Sequence, residues 1–206
     1  VHLRRRSPIS ATTDRLDQQL ERLHLLTMRT QYSELADKAA RGQWTHLNYL
    51  ARLVDGEAAA RDQRALERRL ATARIPVVKA MENFQWNWPK KINRAQIQNL
   101  FQLGFIKSKT NVVLVGGVGT GKTHIATALT HATIAGGYTA RFAGAMDIIN
   151  TLIAAQKEER LKIELKKYIQ PDVLAIDELG YLPIDKTGAD MLFQVISQRY
   201  ERGPII

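Results

Sequence analysis

Gly116-Gly117-Val118-Gly119-Thr120-Gly121-Lys122-Thr123 decides how this chain is read. The octet satisfies G-x-x-x-x-G-K-[ST] at every position, and it lies between an apolar run, Val112-Val113-Leu114-Val115, and a stretch rich in helix formers. That context matters as much as the letters. Glycines let the backbone wrap with its N–H groups pointing inward. A helix starting at the end of the loop adds a partial positive charge, and both features match a di- or triphosphate. Lys122 is expected to bridge the β- and γ-phosphates, and the Thr123 hydroxyl to ligate Mg²⁺. The expected ligands are therefore ATP and Mg²⁺, held by residues 116–123 with His124 following.

A second feature belongs with the first. Asp172-Val173-Leu174-Ala175-Ile176-Asp177-Glu178 is an apolar strand that ends in two adjacent carboxylates, about fifty-five residues after the loop. Ligands gather at the carboxyl edge of a parallel sheet, so Asp177 is expected to hold Mg²⁺ opposite Thr123. Glu178 would orient and activate the attacking water, which separates a hydrolase from a passive nucleotide binder. Lys122 and Glu178 are thus the candidate catalytic residues. An isolated Asp-Glu pair would more simply be two solvated acids opening a turn, and it is the intact loop upstream that gives the pair this meaning.

From residue 111 onward, short apolar runs alternate with helical patterns, the signature of a parallel sheet with crossover helices. Strands are expected at residues 111–115, 139–142 and 172–176, with another beginning at 204–206. Helices are expected at about 121–135, at 145–167 with a break, and at 187–202. The runs at 112–115 and 173–176 are nearly all apolar, as strands buried on both faces require.

Residues 13–75 read as helices, with Leu16, Leu20, Leu23 and then Leu47, Leu50, Leu53, Val54 recurring at three- and four-residue spacing. Thr45 can cap one of them and Pro76 ends the last. Residues 57–74 combine helix formers with a narrow apolar stripe of Ala58, Ala65, Leu66 and Leu70, and their remaining faces are cationic. Residues 76–89, with Phe84, Trp86 and Trp88 crowded together, read as a linker. Its aromatics could stack on bases, but the reading preferred here is that they pack one domain onto the next. A short helix at 95–105 follows. The domain expectation is a helical basic unit at 1–75, a linker and connecting helix at 76–105, and an ATPase core at 106–206.

The chain has 206 residues, 45% of them hydrophobic, enough to bury a real core. It has no cysteine, which removes disulfides, thiolate zinc sites and cysteine nucleophiles and is compatible with a reducing cytoplasm. No apolar run approaches the roughly 18 residues needed to span a bilayer, and no signal-peptide pattern opens the chain. Neither a membrane nor export is expected, and the cytoplasm is the expected location. The net charge of +10 sits entirely in the first half: residues 1–110 carry twenty Lys and Arg against ten Asp and Glu, and the remainder is balanced. Two readings of that surplus stand. It is either an arm that binds a polyanion by counterion release, or a solvated, Arg-rich helix surface.

The loop with His124, the tract Asp177-Glu178-Leu179-Gly180-Tyr181-Leu182-Pro183 and the run Leu192-Phe193-Gln194-Val195-Ile196-Ser197-Gln198-Arg199-Tyr200-Glu201 together resemble the IstB-like ATP-binding proteins of bacterial insertion sequences, AAA+ relatives of DnaC-type helicase loaders. The likeness continues into residues 20–28 and the Arg-rich helix through Arg74-Ile75-Pro76, so it covers nearly the whole chain. It implies a P-loop NTPase fold of the α/β class, with a parallel sheet and flanking helices after a small all-α domain. It also implies a transposition helper that forms a homo-oligomer on duplex DNA and hydrolyses ATP in concert with an IstA-type transposase. Under that scheme Arg61, Arg64, Arg68, Arg69, Arg74, Lys79, Lys90 and Lys91 become candidate DNA contacts. A complete AAA+ core would continue past Ile206 with a sensor residue, an arginine finger and a helical lid, so weak turnover is expected of this stretch alone. A DnaC-type replicative helicase loader, or a nucleotide-gated DNA-binding adaptor with negligible ATPase activity, would share the same loop and carboxylates.

Overall fold

The computed structural model describes residues 8–77, 81–86, 92–180 and 184–206. They divide into two compact units, residues 1–65 and 66–206. The division falls inside a long helix, ahead of the boundary expected at residue 75.

The first unit is three helices: α1 (Pro8–Arg22), α2 (Leu26–Arg41) and the first part of α3 (His46–Ala73). Thr45 caps α3 as expected, its hydroxyl accepting from the Asn48 amide at 3.2 Å. α2 is preceded by Leu25, which has no side chain able to accept a hydrogen bond. The missing acceptor comes from α3 instead. Glu57, 2% exposed, takes the Thr27 and Met28 amides on one carboxylate oxygen at 2.8 and 3.1 Å. Its other oxygen accepts from Arg61 Nε at 3.2 Å and Arg64 Nη2 at 3.0 Å. Apolar burial here is thin: Leu53 is buried, while Leu16, Leu23, Leu26, Leu47, Leu50 and Val54 are exposed. The polar latch therefore supplies order that a large core would supply elsewhere.

The second unit is a three-layer α/β/α sandwich. Strands β1 (Ala140–Gly144) and β2 (Val173–Asp177) pair in parallel, with Ala140 opposite Val173 and Gly144 opposite Asp177. Residues 204–206 continue the sheet beyond β2, with Ile206 N donating to Leu174 O at 2.9 Å and Ile176 N to Ile206 O at 2.8 Å. Asn111 and Val112 lie beyond them, Val112 N donating to Ile205 O at 2.9 Å. Alternate β2 residues serve opposite faces, as the two-residue period of a strand demands. Val173 and Ala175 pack with Leu129 and Ile134 of α6 (Lys122–Ala135), joined by Phe105, Ile106 and Ala73. Leu174 packs with Ile148 and Leu152 of α7 (Ala145–Lys157), Leu165 and Tyr168 of α8 (Leu161–Ile169), and Met191 and Val195 of α9 (Lys186–Arg199).

The structure corrects three details of the sequence reading. Residues 111–115 form no ladder strand: Val112 and Leu114 pack on the core, but Val113 and Val115 are 79% and 90% exposed. Their apolar run implies burial on both faces, yet among the described residues no layer covers the outer one. The helix expected at 95–105 is two, α4 (Arg94–Leu100) and α5 (Gly104–Lys107), broken where Leu103 turns left-handed at φ +59°. The last helix ends at Arg199 and not near residue 202, because Tyr200 leaves the helix at ψ 127° as the chain turns back toward the sheet. The break inside 145–167 is present between α7 and α8, with Glu159 at φ +58°.

Candidate nucleotide site

Where the sheet's carboxyl edge meets the first turn of α6, the loop takes the shape its glycines permit. Gly119 and Gly121 have φ of +74° and +88°, values that side chains with a Cβ disfavour. Gly121 is the N-cap of α6, so the free amides of that first turn open toward the loop. Lys122 Nζ lies across the mouth, donating to Gly116 O at 2.8 Å and Gly117 O at 2.7 Å, and Thr120 Oγ1 closes the turn on Gly117 O at 2.9 Å. The ammonium thus sits beside carbonyls at the place where phosphate charge would compete for it.

The two predicted metal ligands meet. Thr123 Oγ1 donates to Asp177 Oδ1 at 3.2 Å, although 54 residues separate them. The same oxygen accepts the Glu178 amide at 3.0 Å, which fixes the carboxylate against the end of β2. A hydroxyl and a carboxylate on neighbouring elements, next to a phosphate-shaped loop, are the hard oxygen donors that Mg²⁺ takes when substrate phosphates complete its shell. The chain's own donors therefore fit that ion. Glu178 adopts φ +60°, a left-handed conformation sparsely populated by residues with a Cβ. It lines, with Lys122, Thr123 and Asp177, a cavity of about 820 Å³.

The remaining candidates divide. His124 is half-buried with its ring edge-on to Phe84, centroids 5.1 Å apart. Arg61 and Arg64 are held on Glu57, and Arg61 Nη2 also donates to His24 O at 3.2 Å. Arg68 and Arg74 are exposed and Arg69 is half-buried. Lys79, Lys90 and Lys91, like Trp88 and the Tyr181-Leu182-Pro183 tract, lie outside the described residues.

Sequence reasoning passed over one buried cation. Arg199, 2% exposed, donates to five carbonyls: Tyr168, Ile169, Pro171, Asp172 and Pro204, at 2.8–3.1 Å. It ties the end of α8 to the sheet edge. Burial pulls its guanidinium down to about 10, against the pull of Asp172 in the other direction. Nothing in the letters around Arg199 separates it from a solvated arginine, since what it serves is a convergence of distant backbone groups.

A parallel sheet with helices on both faces, a glycine loop opening α6 and an acidic β2 terminus define a P-loop NTPase fold. Solved structures share that fold: AMPPCP-bound DnaA from Aquifex aeolicus superposes with a TM-score of 0.56 at 19% identity, over 64% of this chain and 42% of that one. A DnaA initiator bound to AMPPCP and single-stranded DNA gives 0.54 at 22%, over 62% and 40%. The chain thus spans less than half of each initiator. Within the class, the chain belongs to the IstB-like ATP binding protein family of insertion sequences, whose profile matches residues 18–206. It is 34% identical to a Geobacillus stearothermophilus protein of insertion sequence IS5376 described as ATP-binding, over 94% of this chain and 77% of that one. A similarly described protein of IS21 from Pseudomonas aeruginosa is 34% identical over 91% and 71%. No helix among the described residues is long and apolar enough to cross a membrane.

Proposed function

We propose that this chain binds ATP with Mg²⁺ and hydrolyses it, as a transposition helper that oligomerises on duplex DNA and works with an IstA-type transposase in the cytoplasm. The observation that carries the nucleotide reading is the 3.2 Å meeting of Thr123 and Asp177 beside the loop of residues 116–123. Lys122 moves from the Gly116 and Gly117 carbonyls onto the β- and γ-phosphates, while the amides at the start of α6 take phosphate oxygens. Mg²⁺, when bound at Thr123 and Asp177, neutralises charge on those phosphates. Glu178 accepts a proton from the attacking water, and its backbone bond to Asp177 fixes where that carboxylate starts from. Residues 106–206 carry this chemistry and 76–105 connect it to residues 1–75, whose arginines contact DNA phosphates without reading bases.

The test is ATP turnover with and without duplex DNA, in wild type, Lys122→Ala and Glu178→Gln. Glu178→Gln should retain ATP binding and lose about 10²–10⁴ in rate, the usual worth of a general base. Wild type and Glu178→Gln turning over equally slowly would make the chain a nucleotide-gated adaptor. Stimulation by a replicative helicase in place of a transposase would make it a loader.

A further inference from the structure

Phe84 occupies an unusual place. A Cβ built on Gly121 would lie 2.7 Å from Phe84 Cε2 and 3.1 Å from its Cζ, so the ring fills the space where any other residue would carry a side chain. One turn further along α6, His124 meets the same ring edge-on, with an interplanar angle of 83°. Phe84 also stands edge-to-face with Trp86 at 4.9 Å, and the Arg94 guanidinium lies 4.8 Å from the Trp86 ring. Ile97 and Ile125 complete the cluster. Phe84 is buried, so its face is not open to stack on a base. What it can do is hold the first turn of α6, on which Lys122 and Thr123 sit between the two residues it touches.

Resting on the nucleotide-site reading above, we propose that Phe84 is a positioning residue. Its ring clamps Gly121 and His124 so that the amide of Gly121 and the side chains of Lys122 and Thr123 are set for phosphate. Occupancy of the loop is felt in return at Trp86. The coupling is reciprocal, because any preference the ring has for the phosphate-ready turn must appear as a response of the ring's neighbours to phosphate.

The full chain carrying Trp44→Phe and Trp88→Phe leaves Trp86 as its sole indole reporter. In that background, saturating Mg-ATP should shift the Trp86 emission. Phe84→Leu keeps an apolar side chain but no ring. It should weaken ATP about two- to tenfold, the range an aromatic edge pair is worth, and should abolish the emission shift. Phe84→Met, adaptable in shape, serves where the leucine variant does not fold. A variant that melts earlier yet binds ATP as tightly as its parent makes Phe84 a core residue only and overturns the proposal. An unmoved Trp86 emission in a protein that calorimetry shows to be ATP-loaded does the same. If instead the parent binds no ATP, or Lys122→Ala binds it unchanged, the nucleotide-site reading itself is what fails.

Discussion

Replacing Glu57 should cost the first unit about 2–3 kcal/mol. The carboxylate acts as the N-cap that α2 lacks, worth about 1 kcal/mol. Its charge at a helix N-terminus adds roughly 0.3–1 kcal/mol. The Arg61 and Arg64 pairs add up to about 1 kcal/mol each and count less than their number suggests, because both guanidinium groups are partly solvated. Glu57→Ala loses all of this. Glu57→Gln keeps an oxygen for the Thr27 and Met28 amides and should lose about half. The assay is urea unfolding of the full chain followed by far-UV circular dichroism, and by fluorescence in a Trp86→Phe, Trp88→Phe background that leaves Trp44, packed under the Arg52 guanidinium at 4.2 Å, as the reporter of this unit. The pH dependence carries a sign. Burial pushes the Glu57 carboxyl up, but the Met28 and Thr27 amides and the two arginines outweigh it and hold the group below the usual carboxylate range. Its stabilisation is therefore complete above the unfolded value of about 4.3 and is lost as pH falls through the lower folded value. Wild type should show an acid-induced loss below about pH 4 that Glu57→Gln lacks. A Glu57→Ala midpoint within about 0.5 kcal/mol of wild type, or identical acid transitions in wild type and Glu57→Gln, would refute the latch.

Three further outcomes are expected. Asp177→Asn should reduce ATP affinity at least about tenfold in Mg²⁺ and leave it unchanged in EDTA, since the carboxylate acts through the ion; calorimetry in both buffers checks it. Arg199→Lys cannot reach five carbonyls at once and should destabilise the second unit by about 3–5 kcal/mol, as loss of a buried charge network does, read from thermal unfolding. DNA affinity should fall with salt at a slope of about 0.9 per phosphate contacted. Arg68→Ala with Arg69→Ala should lower that slope by up to about two, whereas Arg61→Ala should lower helix stability first, and titrations at several salt concentrations separate the two.

The phosphate loop and the Asp177-Glu178 terminus were legible because their chemistry is local. A wrapped backbone needs glycine at stated positions, and a cation and a hydroxyl must follow at fixed spacing, so eight consecutive letters carry most of the geometry. The pairing of Thr123 with Asp177 was legible for a related reason: a doubly buried strand such as β2 can carry charge only at its ends, and the carboxyl end is the one where ligands of a parallel sheet gather. Other features depend on what lies across space. Val113 and Val115 read as buried because their neighbours are apolar, but burial depends on a covering layer and not on the run itself. Leu25 gives no hint that its helix is capped, since the acceptor is some thirty residues away on α3. Arg199 looks like any arginine near a helix end until five carbonyls converge on it.

The same distinction bears on the basic half. A surplus of formal charge counts arginines without asking what they already hold, and two of the five candidates on α3 and just beyond it are engaged by a buried carboxylate. Such engagement lowers their value to a phosphate in two ways. The approaching anion must displace Glu57 or share its partners, and displacing it would uncap α2. Arg68, Arg69 and Arg74 face no such cost from Glu57, and they lie in the same compact unit as the nucleotide loop. Under the proposed function, the charge that contacts DNA should therefore be sought first on the last turns of α3 and the residue that follows them. The arginines nearest Glu57 would contribute by keeping the three helices folded, an effect a salt titration reports as unchanged slope and a denaturation curve reports as lost stability.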